Sequence, residues 1–274
     1  MKKIFIFLGV AAICGACCSQ KGTISSANPT QGSSHQLLTK GKLYTAFFQQ
    51  QAAEYDALCL QAFNIARLRL DEALAQSSDK PIAIVSDIDE TFMNTSYYAV
   101  QCGKENKEYE KKSWEAWTAK GEATPLAGSL DFFRYAAEKG VHIFYVTNRS
   151  TAEHDGTAAN LKRYGFPIQG DDHLIFRNAE RSKENRRLEI AKRYNIVLLL
   201  GDNLADFDKD FDVPTTQGRF NAVTKNREAF GKRFIVLPNP SYGDWENAAF
   251  GGKPLPLEER EAIILKVLKD KPSM

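Results

Sequence analysis

Ile84-Val85-Ser86-Asp87-Ile88-Asp89-Glu90-Thr91 is the stretch whose reading decides the fold. An apolar run, residues 82–85, leads directly into two carboxylates one residue apart. Such a run reads as a short buried strand, with the carboxylates at its C-terminal end. In an open α/β sheet that end is where ligands bind. Side chains alternate along a strand, so Asp87 and Asp89 share one side if extended geometry persists. The pair suits phosphoryl transfer: Asp87 can attack phosphorus while Asp89 gives a proton to the leaving oxygen and later recovers it. A solvated Asp-x-Asp-Glu turn would show the same residues, so the rest of the chain has to decide.

Working outward, residues 40–76 carry apolar positions at spacings of three and four, including Tyr44, Phe47, Phe48, Tyr55, Leu58 and Cys59. That period predicts one long helix or two joined ones, with the aromatic stripe in the core. Asp79-Lys80-Pro81 ends the helical region. On the other side of the motif, residues 94–125 are polar but rich in rings, among them Tyr97, Tyr98, Tyr109, Trp114 and Trp117. This insertion is the candidate cap over the site.

Beyond Pro125, strands and helices alternate. A helix over 129–139 closes at Gly140, and residues 141–146 read as a strand followed by Thr147-Asn148-Arg149. Ser150-Thr151-Ala152-Glu153 has the form of a capping box opening a helix that stops at Gly165. Further strands are expected at 174–176, 196–200 and 234–237, with Ser182 capping a helix that runs to Arg193, and a last helix over 257–268. The alternation predicts a parallel α/β sheet.

The chemistry-bearing residues then gather at strand ends and helix starts. Thr147 and Asn148 can hold phosphate oxygens. Lys183, at a helix start, can neutralise both Asp87 and a transferring phosphoryl group. Gly201-Asp202-Asn203-Leu204-Ala205-Asp206 supplies carboxylates suited to Mg²⁺, a hard ion that prefers oxygen ligands. Arg149 is read as ordering its loop by pairing with a carboxylate. The basic run 177–187 and Lys225-Asn226-Arg227 read as solvated helix faces, and His142, His154 and His173 have no ligand spacing.

These motifs resemble the four motifs of the haloacid-dehalogenase superfamily. Residues 84–91 with Thr95 and Tyr98, together with 196–207, look like the bipartite signature of the class C non-specific acid phosphatases. These are the DDDD phosphohydrolases, which include the lipoprotein e type of 5′-nucleotidase. Residues 145–149, 160–167, 242–246 and the helical stretch 50–64 are similar to that family as well, and Phe92-Met93 departs mildly from its pattern, altering packing beside the site. The resemblance implies an α/β, haloacid-dehalogenase-like Rossmannoid parallel sheet with flanking helices, plus a small helical cap subdomain. It implies Asp87 as nucleophile, Asp89 as general acid/base, and Thr147, Asn148 and Lys183 as phosphate ligands. It implies Mg²⁺ as cofactor, held by Asp87, Asp89 (through its carbonyl), Asp202 and Asp206. In the family an aromatic clamp grips the substrate's ring; Tyr242 is the first candidate here, with Trp114, Trp117 and Trp245 behind it. The substrates implied are phosphate monoesters, nucleoside monophosphates and nicotinamide mononucleotide among them.

Domain organisation follows. Lys2-Lys3, ten apolar residues and Cys14-Gly15-Ala16-Cys17-Cys18 give residues 1–16 the form of a signal peptide, with Cys17 as lipidated residue. Ordinary cleavage to a soluble exported protein fits too. Residues 17–36 read as a flexible tether, 37–80 as a helical region contributing to the cap, 81–252 as the phosphatase core with its insertion at 94–125, and 253–274 as a C-terminal helix and tail. The chain would be exported, as an outer-membrane or periplasm-facing lipoprotein. Cys59 and Cys102 either pair or stay free. A net charge of +2, neutral once Lys2 and Lys3 leave, gives no bulk electrostatic case for a nucleic-acid polymer. Two other functions use the same features: a non-catalytic surface lipoprotein that binds nucleotide or haem, and a phosphotransferase working through the same aspartyl phosphate.

Overall fold

The computed structural model describes residues 36–270. The expected signal peptide (1–16), Cys17 and all but the last residue of the tether lie outside them. The helical region is two helices, α1 (Leu37–Gln51) and α2 (Ala53–Leu74), which break at Ala52, an extended residue between them. Then follow β1 (Ile82–Ser86), β2 (Met93–Asn94), α3 (Ser96–Glu105), α4 (Lys111–Thr118), β3 (Thr124–Pro125) and α5 (Ser129–Glu138). The remainder runs β4 (His142–Ser150), α6 (His154–Tyr164), β5 (Leu174–Arg177), α7 (Glu184–Arg193), β6 (Asn195–Gly201), α8 (Thr216–Lys225), β7 (Phe234–Val236), α9 (Asp244–Ala249) and α10 (Leu257–Val267).

Five strands form one sheet in the order β5-β4-β1-β6-β7, parallel throughout, with β1 in the centre. Both faces are covered, and the strand alternation divides the core between them. Ile84, Ile143, Tyr145, Leu198 and Leu200 face α2, α5 and α6, where they meet Phe63, Phe133 and Leu161. Ala83, Val85, Phe144, Val146 and Leu199 face the other way, toward Ile190 of α7, Ala222 of α8 and the rings of Phe207, Phe211 and Phe234. Because the apolar residues are continuous along β1 rather than alternating, the strand is buried on both sides. Its C-terminal end is therefore the place where polar groups can emerge.

The insertion begins and ends on the antiparallel pair β2–β3 and carries α3 and α4. Trp114 stacks on Trp117 at 5.4 Å, and Tyr98 meets Trp114 edge-on at 5.1 Å. Helix α1 packs along α3, where Thr39 Oγ1 donates to Asn106 Oδ1 at 2.7 Å and Gln50 Nε2 to Ser96 Oγ at 2.8 Å.

Three local expectations need correction. Thr147-Asn148-Arg149 does not leave the strand; β4 continues to Ser150 with a register shift against β5 after Val146. The capping box at Ser150 is present, but it opens a 3-10 turn before α6 starts. Lys183, not Ser182, is the N-cap residue of α7, and the Ser182 hydroxyl is used on Asp212 at 2.6 Å. Among the described residues both cysteines are free, Cys59 buried and Cys102 half-buried.

Phe92 is fully enclosed, with ring centroids 4.8 Å from Phe133, 4.9 Å from Phe166 and 5.1 Å from Tyr145. Phe92→Ala removes the ring on which three others close, and is expected to cost about 3–5 kcal/mol. Urea unfolding measures it; a loss under about 1 kcal/mol would show that this cluster collapses freely.

Candidate active site

At the end of β1 the Asp87 amide still donates to Leu200 O at 3.0 Å, extending the ladder with β6 by one bond. The chain then turns. Glu90 takes φ +53, a left-handed conformation that costs a non-glycine residue about 1 kcal/mol or more. Its amide donates to Met93 O at 2.8 Å, and its buried carboxylate accepts the Thr95 amide at 3.0 Å, the Thr95 hydroxyl and the Tyr242 hydroxyl. The turn comes just after both aspartates, and they find different partners.

Asp87 pairs with Lys183, whose ammonium also meets Asp206 Oδ1 at 2.6 Å. The lysine is 4 % exposed on its side chain, so this is a charge taken out of water and held by two carboxylates. Burial would pull its ammonium down, but Asp206 and Asp87 carry it above its ordinary value. Burial pushes Asp87 up to about 7, against the pull of Lys183. Asp202 is driven well above the usual carboxylate range by burial first and by Asp206 and Asp87 next.

Asp89 goes to Arg149 instead. The guanidinium reaches its carboxylate through Nε at 3.1 Å and Nη2 at 2.6 Å, a bidentate grip. Nη1 donates to Thr157 Oγ1 at 2.8 Å, and the guanidinium lies 5.7 Å from the Trp114 ring centroid. Arg149 is itself positioned by Thr147, whose buried hydroxyl accepts the Arg149 amide at 3.1 Å. Asn148 lines the cleft, and its side-chain oxygen accepts Arg186 Nη2 at 2.8 Å.

Gly201 ends β6 and lets Asp206 fold back against it. A Cβ at Gly201 would stand 2.4 Å from Asp206 Cβ and 2.5 Å from Oδ2. The Asp206 Oδ2 accepts the Asn203 amide at 3.0 Å, completing a capping box over residues 203–206. Asp202 Oδ1 accepts the Thr91 hydroxyl at 3.0 Å and Oδ2 accepts Asn239 Nδ2 at 2.7 Å.

One oxygen from each of Asp87, Asp202 and Asp206 lies within 4.8 Å of the others. The donors are all hard carboxylate oxygens, and Lys183 compensates only two of the three. The residues fit a divalent cation of the oxygen-seeking kind, which would supply the missing positive charge. The Asp89 carboxylate stands outside this trio.

The cluster opens into a cleft of about 540 Å³ whose wall includes Trp114, Tyr109 and Tyr242. Of the four ring candidates, Tyr242 and Trp114 line it. Trp117 does not: it is 2 % exposed and serves as the stacking support of Trp114. Trp245 does not either; it points outward, with Nε1 donating to Tyr242 O at 3.1 Å. Sequence reasoning missed Glu90, Thr91 and Asn239, and it misread Arg186 and Arg187 as a solvated face. Arg187 is buried and donates to the carbonyls of Ala205 and Asp206 at 2.9 Å, so it braces the loop carrying Asp206. Its spacing of four from Lys183 on one helix was the available signal.

An all-parallel sheet that brings a lysine-bridged acidic cluster to the carboxyl end of its central strand defines the haloacid-dehalogenase class. The chain belongs to that superfamily's subfamily IIIB, the acid phosphatases, whose family model matches residues 14–245. The structure is similar to that of a class C acid phosphatase from Bacillus anthracis with tungstate bound, at 39% identity and a TM-score of 0.82, covering 86% of this chain and 99% of that one. A second structure of the class C acid phosphatase from the same organism agrees at 38% identity over the same shares of both chains, again with a TM-score of 0.82. The stem 31 kDa glycoprotein of Glycine max is 30% identical over 161 residues; the match spans 57% of this chain and 57% of that protein, so the chain covers little over half of that relative.

Gly201→Ala is expected to displace Asp206 and weaken divalent-cation binding at least tenfold while leaving the fold in place. Calorimetric titration of Mg²⁺, with far-UV circular dichroism as control, checks it. Unchanged affinity would mean that Asp206 can move without cost.

Proposed function

We propose that this protein is an exported, Mg²⁺-dependent acid phosphatase that hydrolyses phosphate monoesters, nucleoside monophosphates in particular, through an aspartyl phosphate on Asp87. The observation that carries the reading is the buried Lys183 ammonium shared by Asp87 and Asp206, within one cluster with Asp202. A general anion site would not need three carboxylates. A cation site alone would not need the lysine.

The Asp87 carboxylate attacks phosphorus, and the ester oxygen leaves with a proton from Asp89. In the second half Asp89 takes a proton from water, which attacks the aspartyl phosphate and releases inorganic phosphate and free Asp87. Arg149 fixes the direction in which Asp89 points. Lys183 neutralises Asp87 and the transferring oxygens, which Thr147 and Asn148 help to hold. When bound by Asp87, Asp202 and Asp206, and by the Asp89 carbonyl, the divalent cation screens the repulsion between nucleophile and anionic ester. Tyr242 and Trp114 offer ring faces to a base or pyridine ring. Tungstate, a tetrahedral oxyanion like phosphate, is bound in the Bacillus anthracis relative, which supports the same chemistry here. Export and lipidation at Cys17 rest on the N-terminal residues alone, and suit an enzyme that acts on charged esters unable to cross a membrane.

Phosphate release from nucleoside monophosphates, nicotinamide mononucleotide and p-nitrophenyl phosphate, with Mg²⁺ or with EDTA, tests the proposal. Turnover that EDTA abolishes is expected. Asp87→Asn should be inactive with its fold intact, and near wild-type turnover in that variant would sink the mechanism. Asp89→Asn should cost roughly 10²–10⁴-fold on poor leaving groups and less on p-nitrophenolate, which needs little protonation. An equal loss on both would remove Asp89 from the proton-transfer role.

A further inference from the structure

The walls of the cleft are rich in cations, and all but one of them have partners. On the floor, Lys183 is shared by Asp87 and Asp206, and Arg149 is taken by Asp89. Around the rim, Lys42 pairs with Glu246 at 3.6 Å, Lys107 with Glu105 at 2.7 Å and Lys111 with Glu115 at 3.3 Å. Arg181 pairs with Asp244 at 2.6 Å, and Arg260 pairs with Glu108. Arg177 lines the same cleft and, among the described residues, its guanidinium has no hydrogen bond or ion pair.

Its position is fixed by the sheet rather than by a flexible loop. Arg177 is the last residue of β5 and stands in register with Ser150 of β4. It therefore emerges at the same end of the sheet as Asp87, two strands away, since β4 lies between β5 and β1. Two strand spacings near 4.8 Å across and two residue rises near 3.3 Å along, since Arg177 lies two residues beyond the position level with Val146, put that backbone separation at roughly 12 Å. The residue is half-buried and faces a wall that includes Asn148 and Tyr109. The only acid of the adjoining turn, Glu153, is engaged elsewhere: its carboxylate accepts the Ser150 amide at 2.7 Å and the Thr118 hydroxyl at 3.1 Å. A partly desolvated guanidinium with five donors and no carboxylate paired to it is a site for an oxyanion.

We propose that Arg177 is a second anion subsite, which selects phosphate monoesters bearing a further phosphate group about one sugar length from the ester that is cleaved, the class to which nucleoside bisphosphates belong. The inference rests on the phosphatase reading above and adds to it a substrate class. The reacting phosphoryl group sits at Asp87 and Lys183, and the second phosphate reaches the fork of Arg177 across the end of β4. The spacing between subsites is set by the sheet and its register, so discrimination is by distance as well as by charge. A substrate with one phosphate leaves Arg177 in water and is handled by the floor of the cleft alone.

The test compares kcat/KM of the full chain and of Arg177→Gln on p-nitrophenyl phosphate, adenosine 5′-monophosphate and adenosine 3′,5′-bisphosphate. The wild type is expected to favour the bisphosphate over the monophosphate by roughly ten- to hundredfold, the scale of one charge-assisted contact, mostly through KM. Arg177→Gln should remove that preference and change p-nitrophenyl phosphate turnover by less than about twofold, whereas Arg177→Lys should retain part of the preference. The preference should also shrink as salt is raised. Equal losses on all three substrates, or no preference in the wild type, would overturn the subsite while leaving the phosphatase intact. Absence of turnover on every substrate would instead overturn the phosphatase reading. Calorimetric binding of the two nucleotides to both proteins then decides the subsite by itself, since equal affinities would refute it.

Discussion

The Lys183 ammonium, enclosed between Asp87 and Asp206, is the constraint to which the rest of the molecule answers. Desolvating three charged groups is expensive, and their attraction repays it only when geometry is held closely. That geometry is assembled from three separate parts of the chain: the end of β1, the N-cap of α7 and the turn after β6. Removing the lysine would strand two buried carboxylates, a loss of the kind that costs about 3–5 kcal/mol. The arrangement is thus held by the fold and at the same time strains it. Asp202 adds a third carboxylate that the lysine does not reach, and this excess negative charge is what makes the cluster a fit for a divalent cation.

Each acid is held from behind by a neutral or cationic group. Arg149 grips Asp89 and is anchored in turn by Thr157 and Thr147. Thr91 and Asn239 take the two oxygens of Asp202. Arg187 braces the carbonyls of Ala205 and Asp206, and the absence of a side chain at Gly201 lets Asp206 approach. Asn239 also accepts the Ser241 amide at 2.8 Å, while Tyr242 donates to Glu90. The loop over residues 239–242 is thereby tied to both aspartate-bearing turns, and the ring that lines the cleft keeps step with the acids on its floor.

Much of this was legible in the chain itself. The doubly buried β1 announces a central parallel strand, because no surface strand tolerates such a run. The period of the helices, the capping box at Ser150 and the glycine at Gly165 mark elements that form where local chemistry alone requires them. The strand-end carboxylates identify the reacting end of the sheet, since any polar group after a buried strand must emerge there. These are local properties, written in patterns of two and 3.6 residues and in the preferences of single side chains.

Lys183 on Asp87 and a carboxylate for Arg149 were legible, but most other partnerships were not, because they are settled by which residues distant in the chain the folded sheet brings together. Arg186 and Arg187 read as part of a solvated face, yet packing α7 against the sheet turns those side chains inward, toward Asn148 and the carbonyl of Asp206. Trp114 and Trp117 are alike in sequence, and only the packing of α4 sends one to the cleft and the other to the core. Asp87 and Asp89 look like a matched pair until the fold brings Lys183 to one and Arg149 to the other. Sequence by itself determined where strands, helices and acids fall, because those follow from neighbouring residues. The tertiary structure decided which charges are compensated and which are left open, because Coulomb energy in a desolvated site depends on distances that only the closed fold defines.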